Sequence, residues 1–489
     1  MSFTSLAFYA FLPIVFAGYW MICYPREGEP VSRHLVFRQN LFVVVASYVF
    51  YGWWDWRFLL LISTTAFWAW GSGVCLGRLT DRSRRKSVVV IALVVNIGIL
   101  GVFKYFNFFV DGVAGLIGAV GFDAHLPSLK IVLPVGISFY TFQALGYVID
   151  VYRGDVAPTK DAVAFFAFVS FFPQLVAGPI ERASNLLPQF LAPRRFDYAL
   201  AVDGCRQMLW GFFKKLVVAD GCALAANNIL GADAEHSSVS LFVGLFCFAF
   251  QIYGDFSGYS DIAVGVSKLF GIRLRRNFAT PYFSRDIGEF WRRWHVSLMT
   301  WFKDYLYIPL GGSREGLLKT VRNTFVVFAV SGLWHGASWT FVVWGLVHAT
   351  AFLPRLLAKR SRRFVGGVVA EGRILPSPAE FFGMLATFLV VMLGWAFFRA
   401  DTVAQAWQWI CEIVAGCDFS LSPLLRKGAP HAVTWAFVML VCEWFNRGRE
   451  YGFAVYPKHR WKRYAVYFLV LFLTAVNLSP RQTFIYFQF

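Results

Sequence analysis

Residues 381–398 read FFGMLATFLVVMLGWAFF, an unbroken run without a single charge. A helix on the surface of a water-soluble domain keeps one polar face, and this stretch has none. At 1.5 Å per residue it rises about 27 Å, close to the ~30 Å hydrocarbon core of a bilayer. The run therefore reads as a membrane span. Similar blocks recur at 6–24 (LAFYAFLPIVFAGYWMICY) and 87–103 (SVVVIALVVNIGILGVF). The 489-residue chain is 58% hydrophobic, 19% aromatic and only 15% charged, which excludes an ordinary soluble enzyme. Block counting predicts an all-α polytopic membrane protein with roughly 11 transmembrane helices and further re-entrant or interfacial ones. No basic residue precedes Arg26, so the opening block lacks the charged start of a cleavable signal and reads as a first span.

The formal net charge of +18 does not point to nucleic acid, because its distribution follows the membrane pattern. Basic clusters occupy short loops: DRSRRK (81–86), APRRFD (192–197), IRLRRN (272–277), AKRSRR (358–363) and KHRWKR (458–463). Such loops mark the cytoplasmic side of a multi-pass protein. Polar stretches at 24–33, 153–160, 191–197 and 371–379 are too short to be linkers, so residues 1–489 read as one integral-membrane domain. The eight cysteines form no CxxC pair, GSGVCLG (71–77) lacks the strand context of a dinucleotide site, and no ligand set for a metal stands out. GxSxG, P-loop, HExxH and HxxxxD patterns are likewise missing.

Polar residues inside the apolar region carry the functional signal, since ionisable groups in a membrane are expensive. In SGLWHGASW (331–339), His335 sits among small residues, with Gly332 and Gly336 spaced for close approach of another backbone. Treated as one helix, this stretch gives His335 a small, partly polar face formed with Ser331, Ser338 and Trp339. A buried neutral imidazole there is suited to taking a proton from a hydroxyl. FWRRWHVSLMTWF (290–302), also treated as one helix, puts His295 on a wall with Trp291, Trp294, Leu298, Met299 and Phe302. Glu289 and Arg293 pair at i, i+4, and the arginines snorkel. His348 falls about 220° around the helix from His335 and reads as structural. GDFSGYSD (254–261) sets Asp255 near Tyr259 and Ser257 near Asp261, a network between neighbouring segments or the lining of a cavity.

Two classes remain: a histidine-based membrane enzyme, or a polysaccharide or lipid exporter. The stretches EFWRRWHVSLMTWFKDYLYIPLGG (289–312) and GLWHGASWTFVVWGLVH (332–348) resemble the signature region of the membrane-bound O-acyltransferase (MBOAT) family, in its bacterial alginate O-acetylase branch. LPVGISFYTFQALGYVIDVYRGD (133–155), FFPQLVAGPIER (171–182), GFFKKLVVAD (211–220), DFSGYSDIAVG (255–265), GWAFFRAD (394–401) and FIYFQF (484–489) resemble it too. The resemblance implies helices wrapped around a central tunnel, with the family's invariant histidine at His335 and its second motif position at His295. It further implies an inner-membrane enzyme that takes an acetyl group from a cytoplasmic thioester, acetyl-CoA, for a periplasmic acetyltransferase partner and a polysaccharide acceptor. Tightly bound cofactors and metals are not expected. Peptidoglycan or cellulose O-acetylation, and D-alanylation of teichoic acid, are the alternatives within the same class.

Overall fold

The structure is a computed structural model describing residues 1–23, 33–121, 133–176, 178–231, 237–358, 364–416, 418, 420, 428–455, 457–480 and 482–487. The polar stretch at 24–33, the basic cluster at 358–363 and the end of the FIYFQF motif lie wholly or mostly outside them. Every regular element among the described residues is helical.

Seven of these helices are long and apolar enough to cross a membrane: Leu6–Cys23, Arg33–Gly52, Phe58–Arg78, Arg82–Ala119, Ser238–Leu269, Trp339–Leu357 and Pro378–Arg399. That compares with roughly 11 blocks counted in the sequence. The difference has a physical reason. Ile137–Arg153, Ala429–Phe445 and Arg460–Val476 have 17 residues each, and Leu317–His335 opens with Lys319, Thr320, Arg322 and Asn323 in its first turns. In a bilayer the helix is favoured because it satisfies its own backbone, and outward faces can stay apolar. Leu6, Ile14, Met21, Phe468 and Leu471 are exposed in that manner.

The chain divides into two compact units, Met1–Val202 with Val266–Arg275, and Asp203–Gly265 with Arg276–Phe489. Within the first, a buried polar knot replaces apolar packing. Gln39 Nε2 donates to the carbonyls of Cys23 and Arg194, Gln39 Oε1 accepts from the Arg194 backbone, and the Arg194 guanidinium donates to Asn40 Oδ1 at 2.8 Å. These bonds join different segments, which fixes the register of helices that apolar contacts alone would let slide.

In the second unit the Ser238–Leu269 helix is the most buried of the seven spans. Glycines let the Tyr198–Phe213 helix lie directly on it: a Cβ added at Gly258 would stand 2.9 Å from the Gly211 carbonyl oxygen. The Leu317–His335 and Trp339–Leu357 helices meet in the same way. A Cβ at Gly332 would sit 2.2 Å from the Phe341 carbonyl oxygen. The close approach expected at Gly332 is therefore present, whereas Gly336 lies just past the helix and faces the Phe341 ring. Gly332→Val is expected to destabilise the fold by at least the roughly 1–3 kcal/mol typical of overpacking, because the atom struck is backbone. Folded yield by size-exclusion chromatography checks it, and a wild-type yield would contradict the packing described.

Candidate active site

The 290–302 stretch is not one helix. Ile287–Arg293 ends where the Trp294 N–H closes on the Phe290 carbonyl, Val296–Phe302 follows, and His295 between them takes φ 43° and ψ 53°. For a residue with a side chain this left-handed conformation costs roughly 1–2 kcal/mol. Neighbouring bonds impose it. Residues 277–279 run beside the break, with the Val296 N–H donating to the Asn277 carbonyl and the Ala279 N–H to the Arg293 carbonyl, both at 2.9 Å. The kink turns His295 away from the wall predicted for it. Its ring instead meets Phe256 at 4.7 Å, Trp334 at 5.7 Å and Phe278 at 6.2 Å, so the surroundings are aromatic as expected but come from other segments.

Asn277 settles which nitrogen of His295 carries the proton. The Ser297 backbone N–H, which can only donate, points at Asn277 Oδ1 at 3.3 Å, and the Ser297 hydroxyl lies 2.9 Å from the same atom. That atom is thus an acceptor, and His295 Nδ1, 3.1 Å away, must donate to it. The lone pair is left on Nε2. His295 lies outside the seven spans, and burial pushes its pKa down to about 3, so the ring is neutral at physiological pH.

The Glu289–Arg293 pair expected from spacing is present at 2.9 Å. Arg293 does not snorkel, however: it donates to the carbonyls of Ala279 and Gly367, and Arg285 holds Glu289 from the other side at 3.0 Å. This buried ion cluster anchors the helix that leads into His295.

His335 is the last residue of its helix, and Ser338 caps the next one by accepting from the Thr340 N–H. Because the chain breaks at 336–338, the predicted face loses Ser338 and Trp339 to the next helix, while Ser331 remains on the helix that His335 ends. Four aromatic rings surround the imidazole: Trp334 and Trp344 at 5.0 Å, Phe398 at 5.5 Å and Tyr486 at 5.6 Å. The same break makes the one-helix angle to His348 irrelevant. His348 is fully buried, 5.1 Å from Trp344 and 4.9 Å from Trp291, on the far side of the tryptophan that touches His335.

The structure brings His295 and His335 into one aromatic cluster. Trp334 contacts both rings, and Phe256, which packs on His295, also packs on Tyr486 at 4.4 Å. Sequence reasoning assigned no role to Tyr486 or Asn277. The first lies in the quoted FIYFQF motif and the second ends a loop read only for its charge. Tyr486 is notable because its buried hydroxyl meets no hydrogen-bond partner among the described residues.

Two clefts border the residues that flank this cluster. One is a narrow crevice lined by Lys214, Ser257, Asp261, Arg276, Asn277 and Phe278, the last of which packs on His295. The other, of about 990 Å³, is lined by Gln251, Ser338, Phe341, Phe398 and Ile485. Along the Ser238–Leu269 helix they are offset: one touches Phe248 and Gln251, the other Tyr253 to Val264, with centres separated by roughly 15 Å at the helical rise. The aspartates of GDFSGYSD serve as a network between segments. Lys214 Nζ meets Asp261 Oδ2 at 2.5 Å and the Ser257 hydroxyl at 2.9 Å, and Lys215 takes up Asp255. Among the described residues no group of three or more His, Cys, Asp or Glu side chains is arranged to hold a metal ion.

A pair of imidazoles enclosed by aromatic rings can exchange a proton with a hydroxyl and keep water from a reactive acyl group. The sequence comparisons agree with that chemistry. The MBOAT, membrane-bound O-acyltransferase family signature matches residues 158–397, which include both histidines. The "Probable alginate O-acetylase AlgI" of Pseudomonas aeruginosa is 38% identical over 429 residues, covering 87% of this chain and 77% of that protein. The peptidoglycan O-acetyltransferase of Helicobacter pylori is 33% identical over 453 residues, covering 87% and 82%. The teichoic acid D-alanyltransferase of Bacillus subtilis is 30% identical over 236 residues, covering 46% and 59%. The chain belongs to the membrane-bound O-acyltransferase family. It is a multi-pass membrane enzyme that transfers acyl groups to oxygen, and the exporter reading falls.

Proposed function

We propose that this enzyme passes an acetyl group from a cytoplasmic thioester, acetyl-CoA, through the inner membrane for O-acetylation of a secreted polysaccharide of the alginate type. The observation that carries this reading is the shared tryptophan: Trp334 contacts both His295 and His335, with clefts lined by Phe278 beside one ring and Phe398 beside the other. His335 acts as the general base that activates the acceptor hydroxyl. His295, its Nδ1 proton held by Asn277, turns the fixed lone pair of Nε2 toward the reacting groups and orients them. The aromatic enclosure protects the acyl group from hydrolysis. A periplasmic acetyltransferase then delivers the group to the polymer. The alginate-type acceptor is favoured because relatives named for alginate O-acetylation match at 35–38% identity across 87% of the chain.

Deletion and complementation in the source cells test this. Alkali-labile acetate on the secreted polysaccharide is expected to vanish on deletion and return with the wild-type gene. Polysaccharide acetate unchanged by the deletion would overturn the acceptor assignment, and loss of acetate from peptidoglycan instead would transfer it to the cell wall.

A further inference from the structure

Residues 482–486 form one wall of the larger cleft, through Gln482, Thr483 and Ile485, and end at the phenol beside His335. What holds them there is ionic and deeply buried. Asp255 Oδ2 accepts from the Ile485 N–H at 2.8 Å. Lys215 Nζ donates to the Gln482 carbonyl at 3.1 Å, and meets Asp220 Oδ1 and Asp255 Oδ1 at 2.8 Å each. The three side chains are at most 3% exposed. One ammonium between two carboxylates is an unfavourable choice for simply filling space, since well-packed apolar residues of similar volume are often at least as stable. The cluster instead binds backbone groups three residues apart, at 482 and 485. Local geometry ties it to the site on both sides, because Phe256 follows Asp255 in the chain and packs on both His295 and Tyr486. The lysine owes its place to a helix irregularity. Residues Lys214–Ala219 form a π-turn, and the two consecutive lysines pair with different aspartates of the neighbouring helix, Lys214 with Asp261 and Lys215 with Asp255.

We propose that Lys215 and Asp255 are positioning residues, a latch that holds the 482–486 segment so that the Tyr486 ring stays packed against His335 during acyl transfer. The proposal rests on the reading of His335 as the catalytic base.

The experiment uses the full-length protein reconstituted in nanodiscs with acetyl-CoA and the proposed periplasmic partner, comparing Asp255→Ala, Asp255→Asn, Lys215→Met, Tyr486→Ala and His335→Gln. Asp255→Ala is expected to lower kcat about tenfold or more with the donor KM changed less than about threefold, and Asp255→Asn, which keeps an oxygen for the Ile485 N–H, to recover part of the loss. The Asp255→Ala and Tyr486→Ala effects should fall short of multiplying in the double variant, as for residues acting through one contact. With Ile485→Cys, maleimide modification read on the peptide that carries residue 485, apart from the exposed native Cys75, Cys205 and Cys411, should speed up when Asp255→Ala or Lys215→Met cuts the latch, a readout that needs folded protein but no activity. Multiplying effects, or unchanged labelling in the latch variants, would overturn the latch. Wild-type transfer by His335→Gln would overturn the reading beneath it instead, so the two failures are separable.

Discussion

His335→Gln is expected to abolish acyl transfer while the protein still accumulates and inserts. A positioned general base contributes about 10²–10⁴ in rate, and glutamine keeps much of the volume among Trp334, Trp344, Phe398 and Tyr486 while losing the basic nitrogen. His335 ends its helix, so the substitution leaves the intrahelical bonds from Leu317 onward intact. The checks are release of free CoA from acetyl-CoA with the partner present, and folded yield in the same preparation. Activity within tenfold of wild type would remove His335 from the chemistry.

The second large effect belongs to His295. His295→Ala is expected to lose roughly 10²-fold in transfer, because it removes the ring oriented by Asn277 and opens space between Phe256 and Trp334. His295→Asn separates chemistry from backbone strain. Asparagine tolerates the left-handed conformation better than most residues, so this variant should fold like wild type and show how much of the loss is the imidazole. Asn277→Leu leaves the ring but frees its tautomer, and a smaller loss in the same direction is expected. The measurement is kcat at saturating donor, normalised to folded protein. If the losses follow only the amount of folded protein, His295 has a structural role.

Much of the fold was legible because membrane spans are long and chemically uniform: 381–398 lies inside the Pro378–Arg399 helix, and 6–24 and 87–103 overlap observed spans. The two histidines were legible as anomalies, since a titratable group in apolar surroundings must have a reason to be there. Their surroundings were not. Helical periodicity assumes an unbroken helix, and both motif histidines sit at breaks, His295 in a left-handed kink and His335 at a helix end. Each break turns its ring toward partners distant in sequence, Phe256 and Asn277 for one, Phe398 and Tyr486 for the other. The Lys215–Asp255 pair was hidden because its partners stand on different helices far apart in sequence, and the spacing within GDFSGYSD suggested hydroxyl neighbours instead.

Acetyl transfer by purified protein most directly measures whether the paired histidines perform the chemistry. Proteoliposomes are supplied with radiolabelled acetyl-CoA as the proposed donor, the proposed periplasmic partner and an alginate-type polysaccharide as the proposed acceptor, and label on the polymer is counted for wild type, His335→Gln and His295→Ala at equal folded amounts. Label should reach the polymer only with wild type, with His335→Gln at background and His295→Ala about a hundredfold down. Equal labelling by all three would contradict the assignment of the aromatic-enclosed histidines as the catalytic centre.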